Sequence, residues 1–488
     1  MTEKFKAFAD NGIEYKGQIE EEFDVIVVGS GPGGYLAAEE AGKSGLKTLI
    51  IEKEFWGGVC LNVGCIPTKA LLASTATLEN IINAAGFGII GNFDKLNIDY
   101  DQTWIKMHER KKGITTKISG SVKMLMKASK CKILEAEAKF VGSHEVEVEG
   151  KVYRGKNIIM AMGSLDRKLD MLPGFKESYN DENALTSKEA INYGEKRPSS
   201  ITIVGGGVIG VEFAQVFASV GTKVTIIQNM DRLLPGIDLD IAKEIAKKLT
   251  AAGVEIIFNA SSTEINSKKE LVYKVNDEVK TVKSDVYLIA VGRVPVSEGL
   301  EQTGVIIGQR KEVVVDEQMK TNVKGVYAIG DLTGKAMLAH VAYNHALIAV
   351  QNILGNKKPK FTNTKPIPGC IYTHPEIAFV GMTEEKAKEA GKDVFTSKYL
   401  FGYLGKAIAS QHTDGFAKLV VDKDNGQILG AHFIGANSTD YIAELTLAIE
   451  KNMTVDDLTY SIHPHPTYSE IVWECARSAS LKLHQLKK

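Results

Sequence analysis

The fold is decided by residues 23–43, which read FDVIVVGSGPGGYLAAEEAGK. The apolar run from Phe23 to Val28 predicts a buried strand, and the glycines after it predict a tight turn. The residues from Tyr35 to Lys43 suit a helix, and a second strand is predicted from Leu46 to Glu52. Together these elements form one βαβ unit, from which doubly wound α/β folds are built.

The same plan recurs in the middle of the chain. Residues 200–210 read SITIVGGGVIG, after which a helix is predicted through Ala218 and a strand from Lys223 to Gln228. In both copies 18 positions separate the last motif glycine from the residue that ends the second strand. Chance explains such an internal repeat poorly. The sequence therefore predicts two dinucleotide-binding domains.

The spacing of the glycines suits a bound pyrophosphate. The first glycine permits the turn, the second lets the backbone approach the phosphates, and the third lets helix and strand pack closely. The helix N-terminus then supplies unpaired N–H donors and a positive dipole. The candidate residues are Gly29, Gly31 and Gly34 with Glu52 as the ribose-binding carboxylate, and Gly205, Gly207 and Gly210 with Gln228. A purely structural turn is the alternative for each copy.

Gln228 stands where an acid is expected. A neutral amide can bond a ribose hydroxyl but does not repel a 2′-phosphate, so the distinction between NAD and NADP is blurred. Residues 229–231 supply no cation for that phosphate, and the first basic residue is Arg232, so NAD is favoured. Two sites on one chain indicate a resident cofactor and a diffusing one, for which FAD and NAD are the natural pair.

Composition excludes several classes of protein. The 488 residues suffice for about three domains. Lys and Arg total 59, and Asp and Glu total 60. The chain therefore lacks the overall positive charge that would indicate binding to nucleic acid or to an anionic membrane. The charged N-terminus lacks the apolar region of a secretion signal, and no segment of about 18 uninterrupted apolar residues follows. We expect a cytoplasmic protein. Five cysteines cannot form a stabilising disulfide framework.

Two of the cysteines lie close together in residues 56–69, which read WGGVCLNVGCIPTK. A regular helix would separate Cys60 from Cys65 by about 7.5 Å along its axis, beyond the ~6.8 Å between Cα atoms that a disulfide tolerates. Gly64 and Pro67 predict a distortion that lets the pair close. Two buried, unreactive cysteines are the alternative. Zinc is disfavoured because no second cysteine pair has ligand spacing, and no metal site is predicted.

At these residues the chain resembles the FAD-dependent pyridine nucleotide–disulfide oxidoreductases, from about residue 22 to the end. Residues 57–72 are most similar to the members that act on dihydrolipoamide, although Val59 replaces the usual Thr and Thr68 the usual Ser. The resemblance implies that Cys60 exchanges with a dithiol substrate and that Cys65 lies against the flavin.

The resemblance also assigns two charged residues. It implies that Lys69 lies near the flavin N5 and pairs with Glu212 in the second glycine copy. From the residues alone, Lys69 is a solvated cation and Glu212 an acid in the first turn of a helix.

Four further motifs resemble flavin- or nicotinamide-side turns of the family. They are the AMG turn ending at Gly163, the AVGR turn around Gly292, the GVYAIGD segment ending at Asp331 and the MLAH segment around Ala339. The resemblance implies that Asp331 holds a ribityl hydroxyl and that Ala339 begins a helix under the flavin ring. Met162 stands where the first turn normally has Thr.

A histidine near the C-terminus is the candidate base. Thiol–disulfide exchange needs a thiolate, so a dithiol must lose a proton. Residues 463–470 read HPHPTYSE, and the prolines beside His465 restrict its backbone. A lone histidine is more often structural. The resemblance implies that His465 is the catalytic base and Glu470 its orienting carboxylate, and His463 is the second candidate.

The resemblance implies an α/β fold with two Rossmann-like dinucleotide-binding domains and a C-terminal α+β dimerisation domain. We expect an N-terminal extension at 1–20, an FAD-binding and central domain at 21–164 and 291–360, an NAD-binding domain at 165–290 and a dimerisation domain at 361–488. In that family the histidine reaches the redox pair of the other subunit, which implies a homodimer.

The implied reaction is the oxidation of protein-bound dihydrolipoamide to lipoamide, with hydride passed to NAD⁺. The partner would be the lipoyl domains of an acyltransferase (E2) component in a 2-oxoacid dehydrogenase complex. Another flavin-dependent disulfide reductase, such as a glutathione reductase that uses NADPH, is the close alternative. A flavoprotein scaffold without catalytic activity is the alternative from another class.

Overall fold

The computed structural model describes residues 12–91, 97–355 and 359–486, and the chain divides into two compact units. Unit 1 consists of Met1–Ala70, Glu109–Arg167 and Gly292–Asn363. Unit 2 consists of Leu71–His108, Lys168–Val291 and Thr364–Lys488.

The helices and strands up to residue 295 include both predicted βαβ units. They are β1 Glu21–Val28, α1 Pro32–Lys43, β2 Thr48–Glu52, α2 Gly58–Asn62, α3 Cys65–Ile82, α4 Tyr100–Ala128, β3 Lys132–Glu135, β4 Lys139–Phe140, β5 Glu145–Val148, β6 Lys151–Met160, β7 Ser164–Asp166, α5 Phe175–Asn180, β8 Ala184–Leu185, α6 Ser187–Asn192, β9 Ser200–Val204, α7 Val208–Ser219, β10 Lys223–Ile227, α8 Leu239–Ala251, β11 Glu255–Ile257, β12 Ala260–Ile265, β13 Leu271–Val275, β14 Glu278–Val282, β15 Val286–Ile289 and β16 Arg293–Pro295.

The remaining elements complete unit 1 and form the C-terminal part of unit 2. They are β17 Val326–Ala328, α9 Ala339–Leu354, β18 Gly369–Ile371, β19 Ile377–Gly381, α10 Glu384–Glu389, β20 Val394–Leu400, α11 Gly405–Ala409, β21 Phe416–Asp422, β22 Ile428–Ile434, α12 Ser438–Glu450, α13 Val455–Thr459 and α14 Glu470–Leu486.

Unit 1 is built around a sheet whose strand order is β3-β2-β1-β6-β5-β4, with β17 also paired to β6. The strands β3, β2, β1, β6 and β17 run parallel to one another, whereas β5 pairs antiparallel with both β6 and β4. Val25 to Val28 are buried, as a central strand covered on both faces requires. The strand begins at Glu21, before the predicted Phe23, because Glu21 and Glu22 pair with β6.

Unit 2 contains a second parallel sheet with strand order β11-β10-β9-β15-β8. Helix α7 connects β9 to β10 and packs Phe213 and Phe217 into a core that includes Trp104. The rings of Trp104 and Phe217 stack with centroids 5.1 Å apart. Residues 71–108 therefore share a core with the second glycine motif.

The C-terminal part of unit 2 is an antiparallel sheet of order β18-β19-β22-β21-β20. Helix α14 buries an apolar face against it, formed by Ile471, Val472, Cys475 and Ala476. The predicted α/β class, with two Rossmann-like parallel sheets and a C-terminal α+β part, is thus confirmed.

The described residues before β1 bond to unit 1. The Ile13 amide donates a hydrogen bond of 2.6 Å to the Ser143 hydroxyl. In return, the Ser143 amide donates one of 2.8 Å to the Ile13 carbonyl. The Glu20 amide donates to Val152 at 2.8 Å. Residues 13–20 of the predicted extension therefore lie along the strands of unit 1, whereas residues 1–11 lie outside the described part.

Within the described residues, one helical stretch, Gly58–Ile82, is long and apolar enough to cross a membrane by length and composition alone. It contains both clustered cysteines and Lys69. Ala70, Leu71 and Leu72 within it are buried in the protein, as in a core helix.

Candidate active site

The first glycine turn leaves open space at the start of α1. Gly29 has φ +99°, and a Cβ there would lie 2.5 Å from the Ala161 carbonyl oxygen. A Cβ on Gly34 would lie 1.9 Å from the Gly29 carbonyl oxygen. Gly31, by contrast, has φ −60° and no atom within 4 Å of an added Cβ. The chain itself therefore does not require glycine at residue 31, whereas an approaching phosphate would.

The second glycine turn repeats this geometry. Gly205 has φ +109°, and a Cβ there would lie 2.5 Å from the Ala290 carbonyl oxygen. A Cβ on Gly210 would lie 2.0 Å from the Gly205 carbonyl oxygen, and one on Gly207 would meet nothing within 4 Å. Both turns thus expose the N-terminus of a helix beside an open middle glycine.

The residues at the ends of the two second strands, Glu52 and Gln228, support the glycine turns. One oxygen of the Glu52 carboxylate accepts hydrogen bonds from the Ser30 amide at 2.8 Å and from the Ser30 hydroxyl at 2.7 Å. Its other oxygen accepts the amides of Glu54 and Phe55 at 2.8 and 3.1 Å. Gln228 accepts the Gly206 amide at 3.0 Å. The predicted strand-end residues are therefore brought against their own glycine motifs.

The cysteine pair lies where the helical stretch is interrupted. Helix α2 ends at Asn62, Val63 has φ −139°, and α3 begins at Cys65. The predicted distortion is thus a break between two helices. Pro67 lies in the first turn of α3, where its missing N–H has no intrahelical acceptor in any case.

The Cys60 and Cys65 thiols hydrogen-bond to each other. This bond, together with burial, raises the pKa of the Cys60 thiol, whereas the positive charge of Lys69 acts in the opposite direction. The Cys65 side chain is exposed. The arrangement holds two sulfur atoms within reach of each other, next to a cation that favours a thiolate.

The cysteine segment begins against the first glycine turn. Gly58 has φ +63°, and a Cβ there would lie 2.7 Å from the Gly31 Cα. The Gly57 amide donates to the Ser30 hydroxyl at 3.2 Å. Glycines 57 and 58 therefore bring the backbone of the cysteine segment next to the proposed pyrophosphate position.

Two tyrosines near the cysteines were not indicated by the sequence. The hydroxyls of Tyr35 and Tyr343 hydrogen-bond to each other, and the rings meet edge to face with centroids 5.9 Å apart. Burial raises the pKa of both phenols, and the electrostatic influence of Cys60 adds to the shift. They lie 308 positions apart, so no local pattern could have paired them.

Asp331 belongs to a hydrogen-bonded cluster of side chains in unit 1. The Ser164 hydroxyl donates to its carboxylate at 2.5 Å, and Arg293 donates to that hydroxyl at 2.8 Å. Burial raises the pKa of the Asp331 carboxyl, and Ser164 and Arg293 oppose the shift. The predicted turns at Gly163 and Gly292 lead into the paired strands β7 and β16, which carry Ser164 and Arg293.

Three more predicted residues occupy defined elements. Ala339 is the first residue of α9. Lys69 lies in α3 of unit 1, and Glu212 lies in α7 of unit 2. The Glu212 carboxylate is buried and accepts the Tyr372 amide at 3.0 Å. The pairing of Lys69 with Glu212 stays a prediction.

The C-terminal histidines have different partners. His465 is 76% exposed, and its Nδ1 lies 2.7 Å from the Glu470 carboxylate. Although burial raises the pKa of Glu470, hydrogen bonds from the Thr467 amide and His465 hold it below its usual value. An ionised Glu470 accepts a hydrogen bond from the Nδ1–H of His465, so Nε2 of His465 stays available to accept a proton. The His463 side chain is 8% exposed, and its Nε2 lies 3.0 Å from Glu444.

Comparison with known proteins places the chain. Residues 23–346 match the family model described as pyridine nucleotide-disulphide oxidoreductase, and residues 367–476 match the dimerisation domain of the same family. The chain belongs to the pyridine nucleotide-disulphide oxidoreductases. Both glycine turns and the two cysteines lie within the first match, and His465 and Glu470 lie within the second.

Individual members of this oxidoreductase family match nearly the whole chain. A dihydrolipoyl dehydrogenase of Mycoplasma pneumoniae is 39% identical over 94% of this chain and 98% of its own length. One from Geobacillus stearothermophilus is 40% identical over 94% and 96%. The Cu(II) complex of the HOCl-induced flavoprotein disulfide reductase RclA from Escherichia coli has a TM-score of 0.83 at 26% identity, covering 93% and 99%.

Proposed function

We propose that the chain oxidises protein-borne dihydrolipoamide to lipoamide and passes the electrons through FAD to NAD⁺. The observation that carries the proposal is the contact of the cysteine segment with the first glycine turn, through Gly58 and Gly31. This contact puts a pair of hydrogen-bonded thiols beside the first dinucleotide-binding turn. The two dihydrolipoyl dehydrogenases matching over 94% of the chain support the choice of dithiol.

The cysteines carry out the exchange with substrate. A thiolate of the dithiol attacks the Cys60 sulfur of the Cys60–Cys65 disulfide, so a substrate–Cys60 bond forms and Cys65 leaves as a thiolate. The second substrate sulfur then attacks the first, which closes the cyclic disulfide and releases Cys60. One electron pair has moved from the dithiol to the two enzyme sulfurs.

His465 and Glu470 serve as the base. The dithiol loses its proton to Nε2 of His465, whose Nδ1 is held by the Glu470 carboxylate 2.7 Å away. Glu470 also accepts the Thr467 amide at 2.8 Å, which fixes its orientation. The carboxylate stabilises the imidazolium that results from proton transfer.

The residues present fit the two cofactors. The middle glycines 31 and 207 leave space that a Cβ would fill, each at the N-terminus of a long helix. The first turn with Glu52 would hold FAD, and the second with Gln228 would hold NAD⁺. Bound FAD supplies an electron carrier between the cysteines and the NAD⁺ hydride acceptor. Asp331 and Lys69 would contact the FAD from unit 1.

The match of residues 367–476 to the dimerisation domain of the family supports a homodimer. Tyr460 and Ile462, close to His465 in the sequence, are 85% and 100% exposed and are candidates for the surface between the two copies. We assign a second copy of this chain as the partner subunit, the lipoyl domain of an acyltransferase (E2) as the dithiol carrier, and the cytoplasm as the compartment.

Turnover of purified, FAD-loaded variants tests the proposal. We expect Cys60→Ser to abolish NAD⁺ reduction by dihydrolipoamide, while Cys370→Ser, a cysteine outside the pair, keeps it. His465→Gln should lower kcat/KM by about 10²–10⁴-fold, and His463→Gln by far less. NAD⁺ reduction at the wild-type rate by Cys60→Ser would refute the mechanism. Faster turnover of glutathione disulfide with NADPH than of dihydrolipoamide with NAD⁺ would favour a glutathione reductase.

A further inference from the structure

The residue at the end of the second strand differs in charge between the two nucleotide turns. The Glu52 carboxylate accepts the Ser30 amide at 2.8 Å, and the Gln228 amide oxygen accepts the Gly206 amide at 3.0 Å. Ser30 and Gly206 are both the second residue of their motifs. Gln228 is therefore the spatial equivalent of Glu52, and the place that carries a negative charge in the first turn is neutral in the second.

Gln228 is held in this place from both ends. Its side chain is 3% exposed, and its amide nitrogen donates to the Arg232 backbone carbonyl at 3.0 Å. A carboxylate could accept the Gly206 amide but could not donate to that carbonyl. The neutral amide is thus part of the structure of the turn at residues 228–232.

The charge at this position governs which nucleotide is excluded. In dinucleotide-binding folds a carboxylate there bonds the 2′-hydroxyl of the adenosine ribose, whereas nearby arginine accommodates a 2′-phosphate. Discrimination against an unwanted ligand commonly needs a repulsive group. Gln228 offers hydrogen bonds but no repulsion.

A cation lies on the same turn. The Arg232 guanidinium lies 3.3 Å from Glu385 and 3.4 Å from Asp231. The Glu385 and Asp231 side chains are 48% and 68% exposed, so both ion pairs face water and contribute little stability. A phosphate forms stronger, bidentate hydrogen bonds with arginine. A 2′-phosphate could therefore take the place of these exposed carboxylates on the Arg232 guanidinium.

We propose that the second nucleotide site accepts the 2′-phosphorylated nucleotide, NADP(H), as well as NAD(H), because Gln228 removes the repulsion and Arg232 meets the phosphate. The proposal rests on the assignment of this site to the nicotinamide nucleotide. It makes Gln228 a specificity-determining residue. The site distinguishes the two nucleotides weakly.

Equilibrium binding to the FAD-loaded protein tests the proposal without turnover. Titration calorimetry would compare 5′-AMP with adenosine 2′,5′-bisphosphate, which differ only in the 2′-phosphate. We expect the two dissociation constants of the unaltered protein to agree within about tenfold. A bisphosphate affinity more than about tenfold weaker than that of 5′-AMP would overturn the proposal. This comparison requires no variant.

Two substitutions then assign the effect to residues. Gln228→Glu should weaken bisphosphate binding at least about tenfold more than 5′-AMP binding, since it restores the repelling charge. Arg232→Gln should weaken bisphosphate binding alone and flatten its salt dependence. Equal losses for both ligands in both variants would contradict the assigned roles. FAD content and melting temperature report whether Gln228→Glu stays folded, and Arg232→Gln provides the test if it does not.

Failure of this inference can be told apart from failure of the proposed function. If dihydrolipoamide reduces neither NAD⁺ nor NADP⁺ while both adenosine ligands bind, the dithiol reaction is wrong and the nucleotide inference holds. If NAD⁺ is reduced but the bisphosphate is excluded, the reverse applies.

Discussion

The two glycine turns have the same internal geometry and different surroundings. The Cβ approach distances at Gly29 and Gly205 are both 2.5 Å, and those at Gly34 and Gly210 are 1.9 and 2.0 Å. The backbone requirements of the turn are therefore alike in the two copies. The differences lie in the charge of the strand-end residue and in Gly58, which brings the cysteine segment only to the first turn. Each glycine turn provides a place for a nucleotide, and the residues around the turn determine the role of that nucleotide.

The largest effect is expected from the glycines that pack helix against strand. Gly34→Ala and Gly210→Ala each force a methyl group against a backbone carbonyl at about 2 Å, and we expect each to destabilise its unit by roughly 3 kcal/mol or more. Gly34→Ala should lose FAD. Gly210→Ala should keep FAD and lose 5′-ADP binding. Flavin absorbance and calorimetry check this, and loss of FAD by Gly210→Ala would contradict independent roles.

The two units also differ in how deeply their ion pairs are buried. In unit 2, Lys418 is 5% exposed and lies 3.0 Å from both Asp238, which is 2% exposed, and Asp240. In unit 1, Lys132 pairs with Glu21 at the surface. Lys418→Met leaves Asp238 buried without its cation and should destabilise the fold by about 3–5 kcal/mol. Lys132→Met should have an effect below about 1 kcal/mol. Urea unfolding at neutral pH measures both.

Acid should remove part of this support. Burial raises the pKa of Asp240, but bonds from Lys398 and Lys418 hold it below its usual value. Bonds from Lys388 and Lys418 likewise lower the pKa of Glu384. Since these carboxyls have lower pKa values folded than unfolded, their contribution is present above the unfolded pKa values and is lost as pH falls through the folded ones. A Lys418→Met effect that stays undiminished in acid would contradict this coupling.

A smaller and more selective effect is expected at the middle glycines. Gly31→Ala and Gly207→Ala place a methyl group where the chain has no atom within 4 Å, so the melting temperature should change by less than about 2 °C. Ligand affinity should nevertheless fall at least about tenfold, for FAD in Gly31→Ala and for 5′-ADP in Gly207→Ala. Unchanged affinity in either variant would show that its ligand lies elsewhere.

The sequence predicted local features well because they are set by local chemistry. The glycine spacing, the apolar strand from Val25 to Val28 and the helix break between the cysteines all depend on neighbouring residues. Strand ends were less predictable, since Glu21 joins β1 only by pairing with Tyr153 on a distant strand.

Contacts between distant segments could not be predicted. The stacking of Trp104 on Phe217 places residues 71–108 in unit 2, and nothing in either segment indicates it. The hydroxyl pair of Tyr35 and Tyr343 is of the same kind. The bond from Gln228 to the Arg232 carbonyl shows why an amide follows this strand, a reason that the residue type alone does not reveal.

The most direct test of the central claim, that Cys60 and Cys65 form a redox pair beside the flavin, is an anaerobic reductive titration of the oxidised, FAD-loaded protein. We expect each subunit to take up two electron pairs, one by the disulfide and one by the flavin, and Cys60→Ser to take up one. Uptake of a single pair by the unaltered protein, with the flavin bleached at once, would contradict it.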